Sequence, residues 1–303
     1  MVGPPFFIVG SARSGTTMLR LMLNAHPEVA VPPESRFAVE LWDGRDEVDA
    51  GRFVERLAGH SMFHHWDLPG EVVREELGGE GPCSYRAAVS AAYEAYARVH
   101  GKTRWGDKTP RYVEHIPFLA RLFPDARFVH LVRDGRNVAL SYADVPFGPK
   151  TVGKAADLWA RRVSAGMRAG RALEAGRYLE LCYEDLVEDP EGEAKDLCDF
   201  LDLPFDPDML DYTERARDAV LPRAARFNPH VTERPTARTR SWQDDLEPID
   251  AEMFEAIAGG VLSELGYERR YPQPRAWVAL AARLARKGAP IGRLAETRPT
   301  TPG

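Results

Sequence analysis

A P-loop-type α/β fold, with a parallel central sheet flanked by helices, is what this sequence predicts. Three observations carry the prediction. The apolar run Phe6-Phe7-Ile8-Val9 leads straight into Gly10-Ser-Ala-Arg-Ser-Gly15-Thr16-Thr17. A second apolar run, Phe128–Val132, ends in Arg133-Asp-Gly. Each run is followed by apolar residues at helical spacing, and alternation of strand and helix is the pattern of α/β domains.

The first unit is a phosphate-binding loop with one substitution. Gly10 and Gly15 keep the Walker A glycine spacing and let the backbone wrap an anion. Met18, Leu19, Met22 and Leu23 then define a helix that stops before Pro27. Its free N–H groups and dipole favour a phosphate, the hydroxyls of Ser11, Ser14, Thr16 and Thr17 add donors, and Arg13 adds a fixed charge. Thr16 stands where ATP-using loops carry lysine. A cradle without that lysine points to a nucleotide lacking a γ-phosphate, and to catalysis without a metal.

Residues 43–104 are expected to form an inserted helical subregion that selects the acceptor. Within it Ser84 caps a helix with Ala88, Val89, Ala92, Tyr93 and Tyr96 on one face, ending at Gly101. Phe63 and Trp66 either line an acceptor site or pack on the sheet. A helix follows around Tyr112–Phe123, then the strand before Arg133, and Asn137–Tyr142 begin the next helix. Arg133 at a strand's carboxyl end and Ser141, eight residues on, can clamp a second phosphate. A long helix around Lys154–Ala175, a strand Tyr178–Cys182 and a helix from about Glu191 to Leu201 come next. The Pro- and Arg-rich stretch Leu221–Arg240 reads as a loop. Residues 1–268 are read as one domain, and 269–303 as a basic helix and a disordered tail. Trp277, Leu280, Ala281 and Leu284 share a face, with Arg275, Arg283, Arg286 and Lys287 nearby. That stretch, 275–287, either packs on the domain or meets an anionic lipid surface or a partner.

The ordered set of motifs resembles the sulfotransferases that use 3′-phosphoadenosine-5′-phosphosulfate (PAPS). Ser11-Ala-Arg13-Ser14-Gly15-Thr16-Thr17 is similar to their 5′-phosphosulfate loop, and Arg133 with Ser141 to their 3′-phosphate site. Tyr183-Glu-Asp-Leu186 after a strand, Trp242-x-x-x-Leu246 and Leu265-Gly-Tyr267 complete the resemblance, which spans roughly residues 5–268. Asn24-Ala-His-Pro27 followed by Pro32-Pro-Glu34 resembles the branch of tyrosylprotein sulfotransferases, where the base is a glutamate. The resemblance implies sulfuryl transfer from PAPS to an acceptor hydroxyl, with Glu34 as base, Lys108 of Trp105-Gly-Asp-Lys-Thr-Pro110 near the transferring group, and Arg13 stabilising charge. Tyr183, Arg240 and Ser241 join the nucleotide contacts on the same ground. Glu28 and His115 compete with Glu34, and Arg111 with Lys108. A P-loop small-molecule kinase, or a non-catalytic PAPS-binding protein, is the alternative reading.

Composition narrows the partners. The 303 residues carry a net charge of −6 and 44% apolar residues, which suits a soluble globular protein and argues against general nucleic-acid binding. Cys83, Cys182 and Cys198 show no metal-ligand spacing and suggest reduced thiols in a cytoplasmic setting. No metal site and no transmembrane segment is expected, and a small-molecule hydroxyl acceptor is the expected partner.

Overall fold

The computed structural model describes residues 3–212 and 241–286. Its strands are β1 (Phe6–Gly10), β2 (Val29–Ala30), β3 (Glu47–Asp49), β4 (Pro82–Ser84), β5 (Arg104–Lys108), β6 (Arg127–Val132) and β7 (Tyr178–Cys182). Five of them form one sheet in the order β2-β5-β1-β6-β7, and every neighbouring pair is parallel. Phe6 lies opposite Gly106 on one side and Arg127 on the other, and Phe128 opposite Tyr178. β1 and β5 are buried along their whole length, as strands covered by helices on both faces must be.

β1 is the switch point. The chain leaves it towards β2 on one side, and β6 and β7 build out on the other. All five strands run the same way, so their carboxyl ends open on a single crevice, the place where open α/β sheets bind ligands. The loops carrying Ser11–Gly15, Glu34 and Arg133 each follow one of these strands, Lys108 ends β5, and Tyr183 begins the helix after β7.

Alternation sorts the core. Phe7 and Val9 face a layer with Phe37, Tyr93, Trp105 and Phe123, where Phe7 stacks on Phe128 at 5.5 Å. Phe6 and Ile8 face the helix Thr16–Ala25 and its neighbours. Gly106 sits where a Cβ would come within 2.2 Å of the Phe6 ring, so a close strand contact requires glycine there. A third cluster, around Trp159 and Phe254, joins the helices Gly135–Ala143, Val152–Ala172 and Pro248–Glu264.

The expected elements appear with small boundary shifts. The strand Tyr178–Cys182 is as read, a short helix Tyr183–Glu188 follows it, the helix expected from about Glu191 runs Pro190–Leu201, and the long helix is Val152–Ala172, capped by Thr151. Two differ in kind. Residues 43–104 are not purely helical: β3 and β4 pair as an antiparallel ribbon between short helices, and the three-residue strands Glu47-Val-Asp49 and Pro82-Cys-Ser84 are too short to show a readable period. The helix expected over Tyr112–Phe123 is instead a 3-10 turn, Pro110–Glu114, and a helix Ile116–Leu122, divided at His115 just ahead of Pro117. Ser84 caps its helix as expected, accepting from the Ala87 N–H at 3.1 Å. The Leu221–Arg240 loop, Lys287 and the expected disordered tail lie outside the described residues.

Candidate active site at the strand ends

The loop after β1 is shaped for an anion. Gly15 precedes the helix at φ +93°, and a Cβ there would meet the Tyr183 ring at 2.4 Å. Glycine cannot accept a capping hydrogen bond, and no acidic residue occupies the first turn, so nothing in the loop's own sequence neutralises the helix start. Ser11, Ser14 and Thr16 are buried, and the Ser14 hydroxyl has no protein partner. Arg13 adopts a left-handed φ of +74°, rare for a side chain of that size.

Arg13 turns towards the second anion site. Its Nε donates to Ser141 Oγ at 2.9 Å, and its carbonyl accepts from Arg133 Nη1 at 3.4 Å. Burial, then the adjacent Arg133 charge, lowers the Arg13 pKa. Arg133 lies over the Tyr183 ring at 4.3 Å, and its buried Nε has no protein partner. Two cations held side by side, one of them with a buried donor that has no protein partner, fit a phosphate. Ser141, Tyr183 and the loop are thus one cradle rather than separate pieces.

Other motif residues brace this cradle. Glu184 accepts from the Asp134 N–H at 3.1 Å and from Tyr267 OH at 2.9 Å, which ties Tyr183-Glu-Asp-Leu186 to Leu265-Gly-Tyr267 through the turn after Arg133. Asp134 in turn grips buried Arg136, which also donates to Glu255 at 2.7 Å. Trp242 lies against the Arg136 guanidinium at 3.6 Å, and its backbone N–H donates to Asn137 Oδ1 at 2.9 Å. Ser241 uses its hydroxyl locally, accepting from the Gln243 N–H at 3.3 Å, and the structure does not bring it to Arg133. Arg240 lies outside the described residues.

The second centre is an ion pair. Lys108 Nζ donates to Glu34 Oε1 at 3.0 Å, with Lys108 buried and the Glu34 side chain 28% exposed. Burial raises the Glu34 pKa, but Lys108, then Arg36 and Arg20, outweigh it and hold the carboxyl below its usual range. Lys108 is in register with Ile8 of β1, two residues before the loop begins, so the pair borders the phosphate cradle. His115 lies elsewhere, with Glu114, Arg111 and Glu40 as its charged neighbours. Glu28 is exposed at the helix exit, its N–H held by His26 Nδ1 at 3.1 Å. That bond leaves His26 Nε2 to donate to the Pro204 carbonyl, so His26 is a staple of the fold.

Sequence reading missed the network that positions Glu34. The Ser35 N–H donates to Thr109 Oγ1 at 3.1 Å, Ser35 Oγ lies 3.1 Å from Tyr112 OH, and Thr109 and Tyr93 both donate to Asp107 Oδ2. Burial, partly offset by hydrogen bonds and Lys108, pushes Asp107 up to about 6. Asp107 neighbours Lys108 and Ser35 neighbours Glu34, so adjacency in sequence was the available signal. Trp66 Nε1 donates to the Pro33 carbonyl at 2.9 Å, so the inserted subregion reaches the Glu34 loop. Phe63 and Trp66 are themselves buried against Phe37 rather than open to a ligand.

The profile of the sulfotransferase family matches residues 4–207. The chain belongs to the sulfotransferase family. With that membership goes sulfuryl transfer from PAPS to an acceptor, as the motifs implied. Among relatives of this sulfotransferase, protein-tyrosine sulfotransferase 1 of Danio rerio is 26% identical over 277 residues, covering 88% of this chain and 72% of the relative. The Drosophila melanogaster protein-tyrosine sulfotransferase is 27% identical, covering 91% of this chain and only 55% of its own length. Nodulation protein NoeE of Sinorhizobium fredii is 26% identical, with 89% and 67% covered. The sulfotransferase domain of the Synechococcus PCC 7002 olefin synthase superposes with a TM-score of 0.56 at 22% identity, covering 88% of this chain and 97% of that domain, a likeness of fold. Among the described residues, no helix is long and apolar enough to cross a membrane.

Proposed function

We propose that this sulfotransferase moves the sulfuryl group of PAPS to the hydroxyl of a small-molecule acceptor, with Glu34 as base and Lys108 as the cation at the transferring group. The Glu34–Lys108 pair, 3.0 Å apart and bordering the cradle, carries the reading. The acceptor oxygen forms a bond to sulfur as the bond from sulfur to the 5′-phosphate oxygen breaks in line. Glu34 takes the hydroxyl proton, and the bonding electron pair leaves with the 5′-phosphate. The helix start at Thr16, the hydroxyls of Ser14, Thr16 and Thr17, and Lys108 receive that growing charge. Arg13, Arg133 and Ser141 hold the 3′-phosphate, with Tyr183 as the surface on which Arg133 rests.

The ion pair also suggests how the base is switched on. In the free protein Lys108 keeps Glu34 weakly basic. An anionic donor competes for Lys108, and a carboxylate that loses its cation gains basicity. Proton removal is thereby linked to donor binding. Trp66, bonded to the Pro33 carbonyl, supports acceptor entry from the side of residues 43–104. Unpaired Cys83, Cys182 and Cys198 support a reducing, cytoplasmic setting. Thr16 in place of the Walker lysine supports turnover without a metal, which excess EDTA should leave intact.

Glu34→Gln tests the proposal, because it keeps shape and removes basicity. Turnover with a weakly acidic alcohol should fall ~10²–10⁴-fold, while affinity for 3′-phosphoadenosine-5′-phosphate stays within about twofold. Near-normal turnover would remove Glu34 as base and make His115 the next candidate.

A further inference from the structure

The helix Thr16–Ala25 turns its start to the phosphate cradle, and its middle carries a buried arginine that no step of the proposed transfer uses. Arg20 follows Thr16 by about one helical turn. Other buried cations among the described residues have evident partners. Lys108 pairs with Glu34, Arg136 lies between Asp134 and Glu255, and Arg104, at the start of β5, holds the carbonyls of Pro4 and Leu201. Arg20 Nη1 donates instead to the Val31 carbonyl at 3.2 Å, and the ionisable groups facing it are Tyr96 and Glu34. Burial lowers its pKa, and those two groups oppose the shift. A leucine in this apolar setting would avoid the desolvation penalty, so the contribution of Arg20 must come from what it holds.

What it holds is the loop of the base. Val31 is pinned to the helix through both of its backbone groups: Arg20 donates to the carbonyl, and the N–H donates to Asn24 Oδ1 at 2.9 Å. Arg20 and Asn24 are i and i+4 on the helix and share one face. Pro32 and Pro33 follow Val31, and two fixed φ angles in succession make a stiff link from there to Glu34. The same helix begins at Thr16, where the donor's leaving phosphate is received in the proposed transfer. One rigid element thus fixes the donor at its start and the base loop one and two turns later. Arg20 also brings charge to the base. With Lys108 and Arg36 it offsets the burial that would raise the Glu34 pKa. Its bond to Val31 keeps it in place when Lys108 turns to an anionic donor.

We infer that Arg20 is a positioning residue for sulfuryl transfer, locking the loop Val31–Glu34 to the phosphate-binding helix so that the Glu34 carboxylate stands at a fixed distance from the bound donor. Arg20 acts through Val31 and Glu34 and touches neither donor nor acceptor in this scheme. The inference rests on Glu34 as the base.

Kinetics of the full chain with PAPS, using a primary aliphatic alcohol and 4-nitrophenol as acceptors, test it. Arg20→Met should lower kcat with the alcohol about 10–100-fold, while affinity for 3′-phosphoadenosine-5′-phosphate in calorimetry stays within about twofold of the parent. The loss should shrink with 4-nitrophenol, which needs little help to shed its proton. Removing a cation near Glu34 should also move the acid limb of kcat/KM to higher pH. Arg20→Lys keeps the charge, so it should restore the limb and part of kcat. Asn24→Ala frees the other group of Val31 without a change of charge; it should lower kcat and leave the limb in place, and it serves as the test should Arg20→Met fail to fold. In the Glu34→Gln background Arg20→Met should add no further loss, because both act on one step. Parent-like kcat in Arg20→Met and Asn24→Ala, additive losses in the double variant, or an equal loss of nucleotide affinity would overturn the inference. Near-parent turnover by Glu34→Gln alone would overturn the base assignment as well, which separates the two failures.

Discussion

The loop Gly10–Thr17 and the loop that carries Glu34 lie at neighbouring strand ends and are held by opposite means. The first takes its shape from its own residues: glycine at φ +93°, a helix start without a cap, and a short Ser14 N–H to Ser11 carbonyl turn. The second is held from outside. Arg20 and Asn24 bind Val31, Lys102 spans the carbonyls of Asn24, His26 and Val29, Trp66 binds Pro33, and Thr109 binds Ser35. A phosphate is a large, symmetric anion that a local backbone geometry can cradle. A general base must meet one proton at hydrogen-bond distance, and that demands fixing by surrounding structure. The shape of the first loop is therefore encoded locally, whereas its partners Arg133, Ser141 and Tyr183 and the setting of Glu34 are fixed at long range.

Substitutions can separate the two. Lys108→Met should lower turnover ~10²–10³-fold with little change in affinity for 3′-phosphoadenosine-5′-phosphate. It also removes the strongest cation beside Glu34, so the acid limb of the kcat/KM profile should move to higher pH. A limb that stays in place would show that Glu34 is not the titrating group.

Arg133→Ala attacks the cradle instead. Loss of charge-assisted hydrogen bonds should weaken 3′-phosphoadenosine-5′-phosphate about 10–100-fold in calorimetry, and leave AMP almost unaffected. Comparable losses for both nucleotides would mean that Arg133 shapes the loop rather than reading the 3′-phosphate.

Ser35→Ala sharpens the contrast, since Ser35 touches neither proposed ligand in this scheme. It removes a buried hydroxyl between Thr109 and Tyr112, at about 1–3 kcal/mol of stability. Turnover should drop by a larger factor than nucleotide affinity, and Ser35→Thr should recover part of it. Equal losses in both would indicate a purely structural role.

Asp107 shows its effect in stability rather than in turnover. Its pKa of about 6 exceeds the ordinary ~3.9 of an unfolded aspartate, so between these values the folded chain holds a proton that the unfolded chain has released. Stability therefore declines as pH rises from ~4 to ~6, by on the order of 3 kcal/mol. Asp107→Asn should lack that component, and urea titrations at pH 4.5 and 7 should show a smaller difference than for the parent chain. An identical difference would place the ionised form of Asp107 in the fold at both pH values.

Much of the scaffold could be read because its signals are local. A β-strand such as Tyr178–Cys182 betrays itself by apolar residues between turn formers, and Ser84 announces a helix by its capping hydroxyl. The same locality made the 5′ loop and Arg133 visible, whereas the β3–β4 ribbon was too short to show a period. Glu34 and Lys108 came from family resemblance, and the bonds of Ser35, Asp107 and Tyr93 from neither source.

By itself the sequence determined the strand–loop–helix units, the glycine spacing of Gly10–Thr17 and the placing of Arg133 at a strand end with Ser141 in the helix that follows. The tertiary structure alone decided the order β2-β5-β1-β6-β7, which sets β5 and Lys108 beside β1 although almost a hundred residues separate them. It also decided that Arg13 turns to Ser141 and that Tyr183 covers both Gly15 and Arg133. Periodicity reports which face of an element is buried. Which element covers that face is set by packing between segments far apart in the chain, and no local pattern records it.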